Sequence, residues 1–273
     1  MRGITDTVKH LLIINALMFI GTYALQNKEV FYGLFALFYP DNELFKPWQI
    51  ITHMFMHGNI QHILFNMLAL WMFGTAVEQV FGKRKFIFFY ISAGLGAVIL
   101  TFIVYYIQII PLFNEVASLG YPAELIDKII NLDIVKDGMY QGQILGQKME
   151  PLILEYGQEV SRIDQNTFKA LFDLNVKING SMVGASGAIM GILVAFGMLF
   201  PESKLMLIFL PIPIKAKYFI PGIIALDLFS ALTGVSIFSP SNTAYVAHIG
   251  GALTGFLMMY FWRKNRFDKY RWH

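Results

Sequence analysis

The sequence predicts an all-α membrane protein: a bundle of six transmembrane helices, with an interfacial helical connector after helix 1 and a folded extramembrane insertion between helices 3 and 4. Three observations support this. Of the 273 residues, 56% are hydrophobic and only 14% are charged, whereas soluble domains carry about 25% charged residues. Several apolar runs approach the roughly 20 residues that a helix needs to cross a bilayer. Lysines and arginines cluster between alternate runs, as in cytoplasmic loops.

The six predicted spans follow one another in order. They are His10–Leu25, Ile60–Phe81, Phe86–Ile110, Ser181–Phe200, Tyr218–Phe238 and Ala244–Trp262. We expect Pro111 to close the third span, because proline disrupts a helix. Apolar side chains at helical spacing within Asn27–Pro47 indicate a helix that lies in the membrane interface. The segment Pro201–Lys217 contains too many prolines and lysines for a span, so it is also predicted to be interfacial.

Residues 111–179 differ in composition from the rest of the chain, because acidic residues outnumber basic ones there. The stretches 122–135 and 164–176 have helical patterns. We therefore expect a folded extracytoplasmic insertion, for which the sequence indicates no chemistry. The predicted organisation is residues 1–110 for helices 1–3 with the connector, the insertion, and residues 180–273 for helices 4–6 with a basic cytoplasmic tail.

The charges predict the orientation in the membrane. Six spans place both termini on one side, and the segments on that side hold more than half of the 21 lysines and arginines. Positive charge is enriched in cytoplasmic loops, so we expect a multi-pass protein of the bacterial inner membrane with both termini in the cytoplasm. No cleavable signal peptide is evident. The net charge of +3 gives no reason to expect nucleic acid as a partner, and the absence of cysteine excludes disulfides and thiolate metal sites.

Four polar side chains are predicted at one depth near the outer leaflet: His62, Asn66, Ser186 and His248. Each lies within the first turns of a span that runs from outside to inside. Polar groups inside a membrane are costly and usually face the interior of the bundle. We therefore expect these four groups to meet.

Small residues suggest how two of the spans meet. Gly187 and Gly191 leave a bare face on span four, and the pair Gly251 and Gly255 leaves one on span six. Such faces allow helices to approach backbone to backbone. This contact would bring His248 next to the serine of span four.

The four groups have the chemistry of a serine hydrolase. Ser186 and His248 form the minimal pair of nucleophile and base. The His62 ring, the Asn66 amide and the Ser186 backbone N–H can donate hydrogen bonds to a developing oxyanion. A lone serine in a membrane helix is more often a packing residue, but its combination with the other three groups favours catalysis.

The same residues resemble the rhomboid family of intramembrane serine proteases. The matching positions are Trp48, His53, His57, His62, Asn66, Gly74, Glu78, Gly184-Ala185-Ser186-Gly187, Ala247-His248, Gly251 and Gly255. The resemblance implies a six-helix core and a Ser186–His248 dyad without an acidic third member. It also implies an oxyanion site from His62, Asn66 and the Ser186 amide. Implied substrates are single-pass membrane proteins, cut near the outer face; no cofactor is implied.

Two positions depart from the family pattern. Gln49 stands where the family commonly has arginine, and Met190 stands where many members have tyrosine. These departures leave open an alternative, a catalytically inactive rhomboid-like protein that binds membrane clients. A transporter is a further alternative, but it predicts polar groups at the midplane and an internal repeat. The sequence does not indicate an oligomeric state.

Further polar residues have weaker interpretations. His53 and His57 are four residues apart and could hold a metal, but no H-E-x-x-H motif is present, so structural hydrogen bonding is favoured and no metal is predicted. Glu78 is expected to cap a helix or pair with the nearby basic turn. Asp227 lies inside span five, and no role is assigned to it. The turn Phe238–Thr243 is a candidate lid over the site.

Overall fold

A computed structural model describes residues 3–24, 28–136, 139–158, 163–207, 210–235 and 242–268. The helices are α1 (Asp6–Ala24), α2 (Lys28–Phe35), α3 (Gln49–Thr52), α4 (Ile60–Ala69), α5 (Thr75–Phe81), α6 (Lys83–Ala117), α7 (Ala123–Ile130), α8 (Gly142–Glu155), α9 (Gln165–Asn179), α10 (Ser186–Leu199), α11 (Ala216–Thr233) and α12 (Asn242–Asp268). The strands are β1 (Leu37–Phe38), β2 (Val135–Lys136), β3 (Met139–Tyr140), β4 (Ser181–Met182), β5 (Lys204–Leu207) and β6 (Leu210–Lys215). A 3₁₀ turn, His53–Phe55, extends α3, and a π-helical turn, Leu70–Gly74, joins α4 to α5.

Within the described residues, 5 helices are long and apolar enough to cross a membrane. They are Asp6–Ala24, Ile60–Phe81, Lys83–Ala117, Ala216–Thr233 and Ala244–Trp262. The second and sixth predicted spans are confirmed at their bounds. The fourth predicted span corresponds to α10, which is apolar but has only 14 residues, so it falls below the length of the other five.

The start of the fourth span at Ser181 is wrong. Helix α10 begins at Ser186, because Gly184 has a φ of 128° that a right-handed helix does not contain. The N–H of Gly184 also donates to the carbonyl oxygen of His53, 2.9 Å away. This bond holds the segment before α10 in a non-helical conformation.

The predicted ends of the third and fifth spans are also wrong. Helix α6 passes through Pro111 and ends at Ala117, because Ile109 and Val116, on either side of the proline, are buried in the same apolar core. Helix α11 ends at Thr233 rather than Phe238. Its last turn is closed by Gly234, which has a left-handed φ of 73° and donates from its N–H to the carbonyl of Ser230. Residues 236–238 lie outside the described part of the chain.

The chain divides into two compact units. The first consists of Met1–Leu37, Lys46–Thr101 and Met182–His273, and the second of Phe38–Phe45 and Phe102–Ser181. The second unit therefore includes more than the predicted insertion of residues 111–179.

The second unit has its own helical core. Its buried side chains include Tyr105, Ile109, Leu125, Ile129, Ile134, Leu145, Met149, Ile153, Leu171 and Leu174. They come from the end of α6, from α7, α8 and α9, and, for Ile134, from the segment between α7 and β2. Tyr39 belongs to this unit because its ring stacks on Tyr105 with centroids 3.7 Å apart. The sequence predicts α7 and α9 but not α8, whose helical pattern is interrupted by Pro151.

The segment after α10 forms a hairpin that the sequence does not predict. Strands β5 and β6 are antiparallel, with Leu205 opposite Ile214. Prolines are tolerated in β6 because a two-stranded ribbon leaves one edge of each strand unpaired. Glu202 pairs with Lys215 and Lys217 at 2.6 Å each, and these hydrogen bonds and charges lower the pKa of Glu202 to about 2. The side chains of residues 207–211 lie outside this description.

Helix α10 is enclosed in the first unit, and its residues from Gly187 to Phe196 are all buried. A Cβ on Gly191 would lie 2.5 Å from the Cβ of Ala93 on α6, and one on Gly255 would lie 2.7 Å from the Cα of Gly191. A Cβ on Gly251 would overlap the carbonyl oxygen of Gly187. The predicted glycine contact between spans four and six is therefore confirmed, and it fixes α12 directly against α10.

Candidate functional site

The connector before α4 is anchored by side-chain donors of α3 and the residues flanking it. They donate to the last three backbone carbonyls of α2, which have no partner within their own helix. The bonds run from Trp48 Nε1 to Leu34 O at 2.8 Å, from Gln49 Nε2 to Gly33 O at 2.8 Å and from Thr52 Oγ1 to Phe35 O at 2.9 Å. Gln49, the first departure from the family pattern, is thus a buried part of this cap.

His53 has the structural hydrogen bond that the sequence favours. Its Nδ1 lies 2.8 Å from the carbonyl oxygen of Gln49, and its own carbonyl holds Gly184. His57 is fully buried, and neither of its ring nitrogens has a hydrogen-bond partner among the described residues. Burial lowers the pKa of His53 to about 4 and that of His57 to about 3. Both rings are therefore neutral at physiological pH.

Glu78 caps the N-terminus of α1. Its carboxylate accepts hydrogen bonds from the hydroxyl of Thr5 at 2.5 Å, from the N–H of Thr7 at 3.2 Å and from the N–H of Val8 at 3.0 Å. A carboxylate at this end of a helix satisfies unpaired N–H groups and complements the helix dipole. The predicted capping role is confirmed, and Glu78 belongs to the scaffold of the site.

Ser186 is the first residue of α10 and is half-buried. The N–H groups in the first turn of a helix have no partner within the helix, so the Ser186 amide is positioned to donate. A Cβ on Gly184 would lie 2.8 Å from both Cε1 and Nε2 of His62 and 3.7 Å from Ser186 Oγ. Glycine at this position therefore allows the His62 ring and the Ser186 hydroxyl to lie around the same point.

Helix α4 presents His62 and Asn66 from one face. The helix begins after Asn59, whose Oδ1 accepts a hydrogen bond of 2.8 Å from the N–H of His62. Asn66 lies one turn further on and is 7% exposed. Its Nδ2 has no hydrogen-bond partner among the described residues. A buried amide donor without a partner is rare in proteins.

His248 lies near the start of α12, beside the start of α10. A Cβ on Gly187 would lie 3.4 Å from the carbonyl oxygen of Ala247, so the residues next to Ser186 and His248 are in contact. The described residues contain no hydrogen bond between the side chains of Ser186 and His248. The Nδ1 of His248 instead lies 3.0 Å from Oδ2 of Asp227, whose side chain is 3% exposed.

Three features of this site are absent from the sequence interpretation. Asn59 could have been found, because asparagine before an apolar helical run is an N-cap signal. The bond between His53 and Gly184 and the contact between Asp227 and His248 join distant parts of the chain, so no local pattern indicates them. Of the predicted lid, residues 238–241 lie outside the described part of the chain, and Asn242 and Thr243 form the start of α12.

No three histidine, aspartate or glutamate residues within the described ranges are grouped so that they could hold a metal ion. The structure places the Ser186 hydroxyl and the His62 ring around Gly184, with His248 beside the start of α10 and Asn66 one turn after His62 on α4. This set can activate a hydroxyl and stabilise negative charge on an oxygen.

Comparisons with known proteins agree with this arrangement. The model of the Rhomboid domain matches residues 44–109 and 157–265, which is more than half of the chain. The rhomboid protease GluP of Bacillus subtilis is 41% identical over 56 residues, which cover 20% of this chain and 11% of that protein. The rhomboid proteases GlpG of Salmonella newport and Salmonella enteritidis are each 49% identical over 43 residues, or 16% of this chain and 16% of each relative.

The matched stretches thus cover less than a fifth of each of these relatives. The family model, by contrast, extends over α4, most of α6, α10, α11 and most of α12, and so includes the helices that carry the candidate site. Together with the five apolar helices, it identifies a multi-pass integral membrane protein, and this chain belongs to the rhomboid family.

Proposed function

We propose that this protein is an intramembrane serine endopeptidase that cuts single-pass membrane proteins near the outer face of the membrane. Ser186 is the nucleophile and His248 the general base. His62, Asn66 and the Ser186 amide form the oxyanion site. The observation that carries the proposal is the position of the Ser186 hydroxyl and the His62 ring around Gly184, at the start of α10. Asn66, one turn after His62 on α4, adds an amide donor that has no partner among the described residues.

The chemistry follows from these groups. Ser186 Oγ attacks the scissile carbonyl while its proton passes to Nε2 of His248. The carbonyl oxygen becomes an oxyanion that accepts hydrogen bonds from His62, Asn66 and the Ser186 N–H. His248 then gives the proton to the leaving amine, and water hydrolyses the acyl-enzyme by the reverse sequence. The absence of a Ser186–His248 hydrogen bond is compatible with this, because catalytic hydrogen bonds are often long in the free enzyme.

An inactive rhomboid-like protein that binds membrane clients is the second candidate. The missing Ser186–His248 hydrogen bond favours it, and so do the departures at Gln49 and Met190. The intact pair of Ser186 and His248 argues against it. This candidate predicts client capture without covalent reaction at the serine.

A fluorophosphonate probe separates the two candidates. We expect it to label the wild-type protein in detergent, and to label neither Ser186→Ala nor His248→Ala although both variants remain folded. The wild type should also cut some members of a panel of single-span proteins, with cut sites mapped by mass spectrometry. Folded wild-type protein that neither reacts with the probe nor cuts any substrate would refute the peptidase and support the client-binding protein.

We further propose that α10 crosses the membrane as the fourth helix in chain order, which brings the number of membrane helices to six. The three parts of the chain are then residues 1–110 with helices 1–3, residues 111–179 with the insertion, and residues 180–273 with helices 4–6. The insertion lies outside a bacterial inner membrane, and both termini lie in the cytoplasm. Because the chain has no cysteine, single cysteines report this directly. A membrane-impermeant maleimide should label Glu150→Cys in intact cells but Lys204→Cys only after permeabilisation. The reverse pattern would overturn the orientation.

A further inference from the structure

Asp227 is a buried acid that takes no part in the proposed mechanism. It lies in the middle of α11 and is 2% exposed, while its neighbours Leu226 and Leu228 face outward. An ionisable group inside a membrane helix is costly unless it has a partner. The partner here is His248, whose Nδ1 lies 3.0 Å from the Asp227 carboxylate.

The contact involves one particular nitrogen of the imidazole. A neutral imidazole carries a proton on only one nitrogen. If a carboxylate accepts a hydrogen bond from Nδ1–H, the proton is on Nδ1 and the lone pair is on Nε2. Nε2 is then the nitrogen able to receive the proton of Ser186. The bond also fixes the rotation of a ring that is only partly buried, with 19% of its side chain exposed.

We propose that Asp227 is a positioning residue that holds His248 in the Nδ1–H tautomer with Nε2 available to Ser186. The proposal rests on the peptidase function above. When Ser186 attacks, its proton moves to Nε2, and the resulting imidazolium keeps its Nδ1–H bond to the carboxylate. Asp227 takes no proton from the ring, and the imidazolium returns the proton from Nε2 to the leaving amine. In serine proteases of unrelated fold an aspartate has this same role.

A purely structural role is the competing interpretation, in which the Asp227–His248 contact only joins α11 to α12. Ser230 provides a matched control for it. It lies on the same face of α11, three residues further on, and is fully buried with an Oγ that has no partner among the described residues. Ser230→Ala alters the α11 face without removing a contact to His248.

Kinetics give the first test. Asp227→Asn keeps the size of the side chain but can donate to Nδ1, which favours the wrong tautomer. We expect kcat to fall by about 10²–10⁴-fold, with KM changed by less than about threefold. Asp227→Glu should restore part of kcat, and Ser230→Ala should retain it. A folded Asp227→Asn protein with wild-type kcat would overturn the proposal, as would equal losses of kcat in Asp227→Asn and Ser230→Ala.

A spectroscopic test does not depend on activity. In protein labelled with ¹⁵N-histidine, His248 is identified by its absence from the spectrum of His248→Gln. We expect a protonated Nδ1 and an unprotonated Nε2 in the wild type and in Ser186→Ala, and a different tautomer population in Asp227→Asn. A wild-type His248 protonated on Nε2 would refute the proposal. A folded wild type that neither reacts with a fluorophosphonate nor cuts any substrate would instead refute the peptidase function, and the role of Asp227 in it.

Discussion

The contact between α10 and α12 gives the sharpest prediction of this structure, through Gly251→Ala. The new Cβ would overlap the Gly187 carbonyl oxygen. Because nonbonded heavy atoms rest about 3.5 Å apart, the two helices must separate locally by about 1 Å or more. Overpacking of this kind costs about 1–3 kcal/mol. Ser186 and His248 each lie within one turn of the contact, and a displacement of about 1 Å in a catalytic group can reduce the rate about 10²-fold.

Two other glycines make the prediction quantitative. At Gly255 a Cβ would lie 2.7 Å from the Cα of Gly191, so Gly255→Ala should separate the helices less and reduce activity less. At Gly222 on α11 a Cβ would meet nothing within 4 Å. Gly222→Ala should retain activity and gain about 0.5–1 kcal/mol of helix stability. The assays are the initial rate of fluorophosphonate labelling and the melting temperature in detergent.

The order of effects decides the outcome. The Gly222→Ala variant should be the most active of the three, Gly255→Ala should be intermediate, and Gly251→Ala should be the least active. A Gly251→Ala protein with the labelling rate and melting temperature of the wild type would show that α10 and α12 are not in the close contact described above.

The other predictions concern three polar residues. Asn66→Ala should reduce kcat by about 10²–10³-fold without lowering the melting temperature, because the Nδ2 that it removes has no partner; an unchanged kcat would remove Asn66 from the oxyanion site. Glu78→Ala should destabilise the protein by about 2–4 kcal/mol, because it removes three hydrogen bonds to a charged group; thermal unfolding in detergent measures this, and equal melting temperatures would contradict the capping role. Burial lowers the pKa of His57 from 6.5 to about 3. The neutral ring therefore contributes fully to the free energy of unfolding above pH 6.5, and this contribution is lost as the pH falls. Between pH 7 and pH 5 we expect a loss of about 2 kcal/mol from this group, and a shallower pH dependence of the melting temperature in His57→Gln would confirm the cause.

Much of the fold can be predicted from the sequence because hydropathy and small-residue spacing are local properties. The apolar runs identify the spans, and the glycines at 187, 191, 251 and 255 identify the contact between α10 and α12. Helix ends are less predictable, because contacts from elsewhere determine them. Helix α10 starts at Ser186 and not at Ser181, since the Gly184 N–H is bound to a carbonyl of the distant His53. Helix α6 continues past Pro111, since residues on both sides of the proline are buried.

The same distinction applies to the candidate site. Ser186, His62 and Asn66 are recognisable from their residue types and their positions near helix starts, and the structure brings the first two together around Gly184. The catalytic roles of the four predicted residues stay predictions that the experiments above test. The contact of Asp227 with His248 could not have been predicted, because it depends on how α11 is rotated about its axis. No periodicity in that helix marks one face as the inner one.

The residues Gly187 to Phe196 of α10 are buried, so this helix need not match the thickness of the bilayer. A lipid-facing helix must extend through about 30 Å of hydrocarbon, whereas the 14 residues of α10 extend only about 21 Å. Since protein surrounds the residues from Gly187 to Phe196, the shortness of this helix exposes little apolar mismatch to the membrane. The depth of Ser186 is therefore set by the neighbouring helices, and a change of lipid chain length should leave its spacing from His62 and Asn66 unaltered.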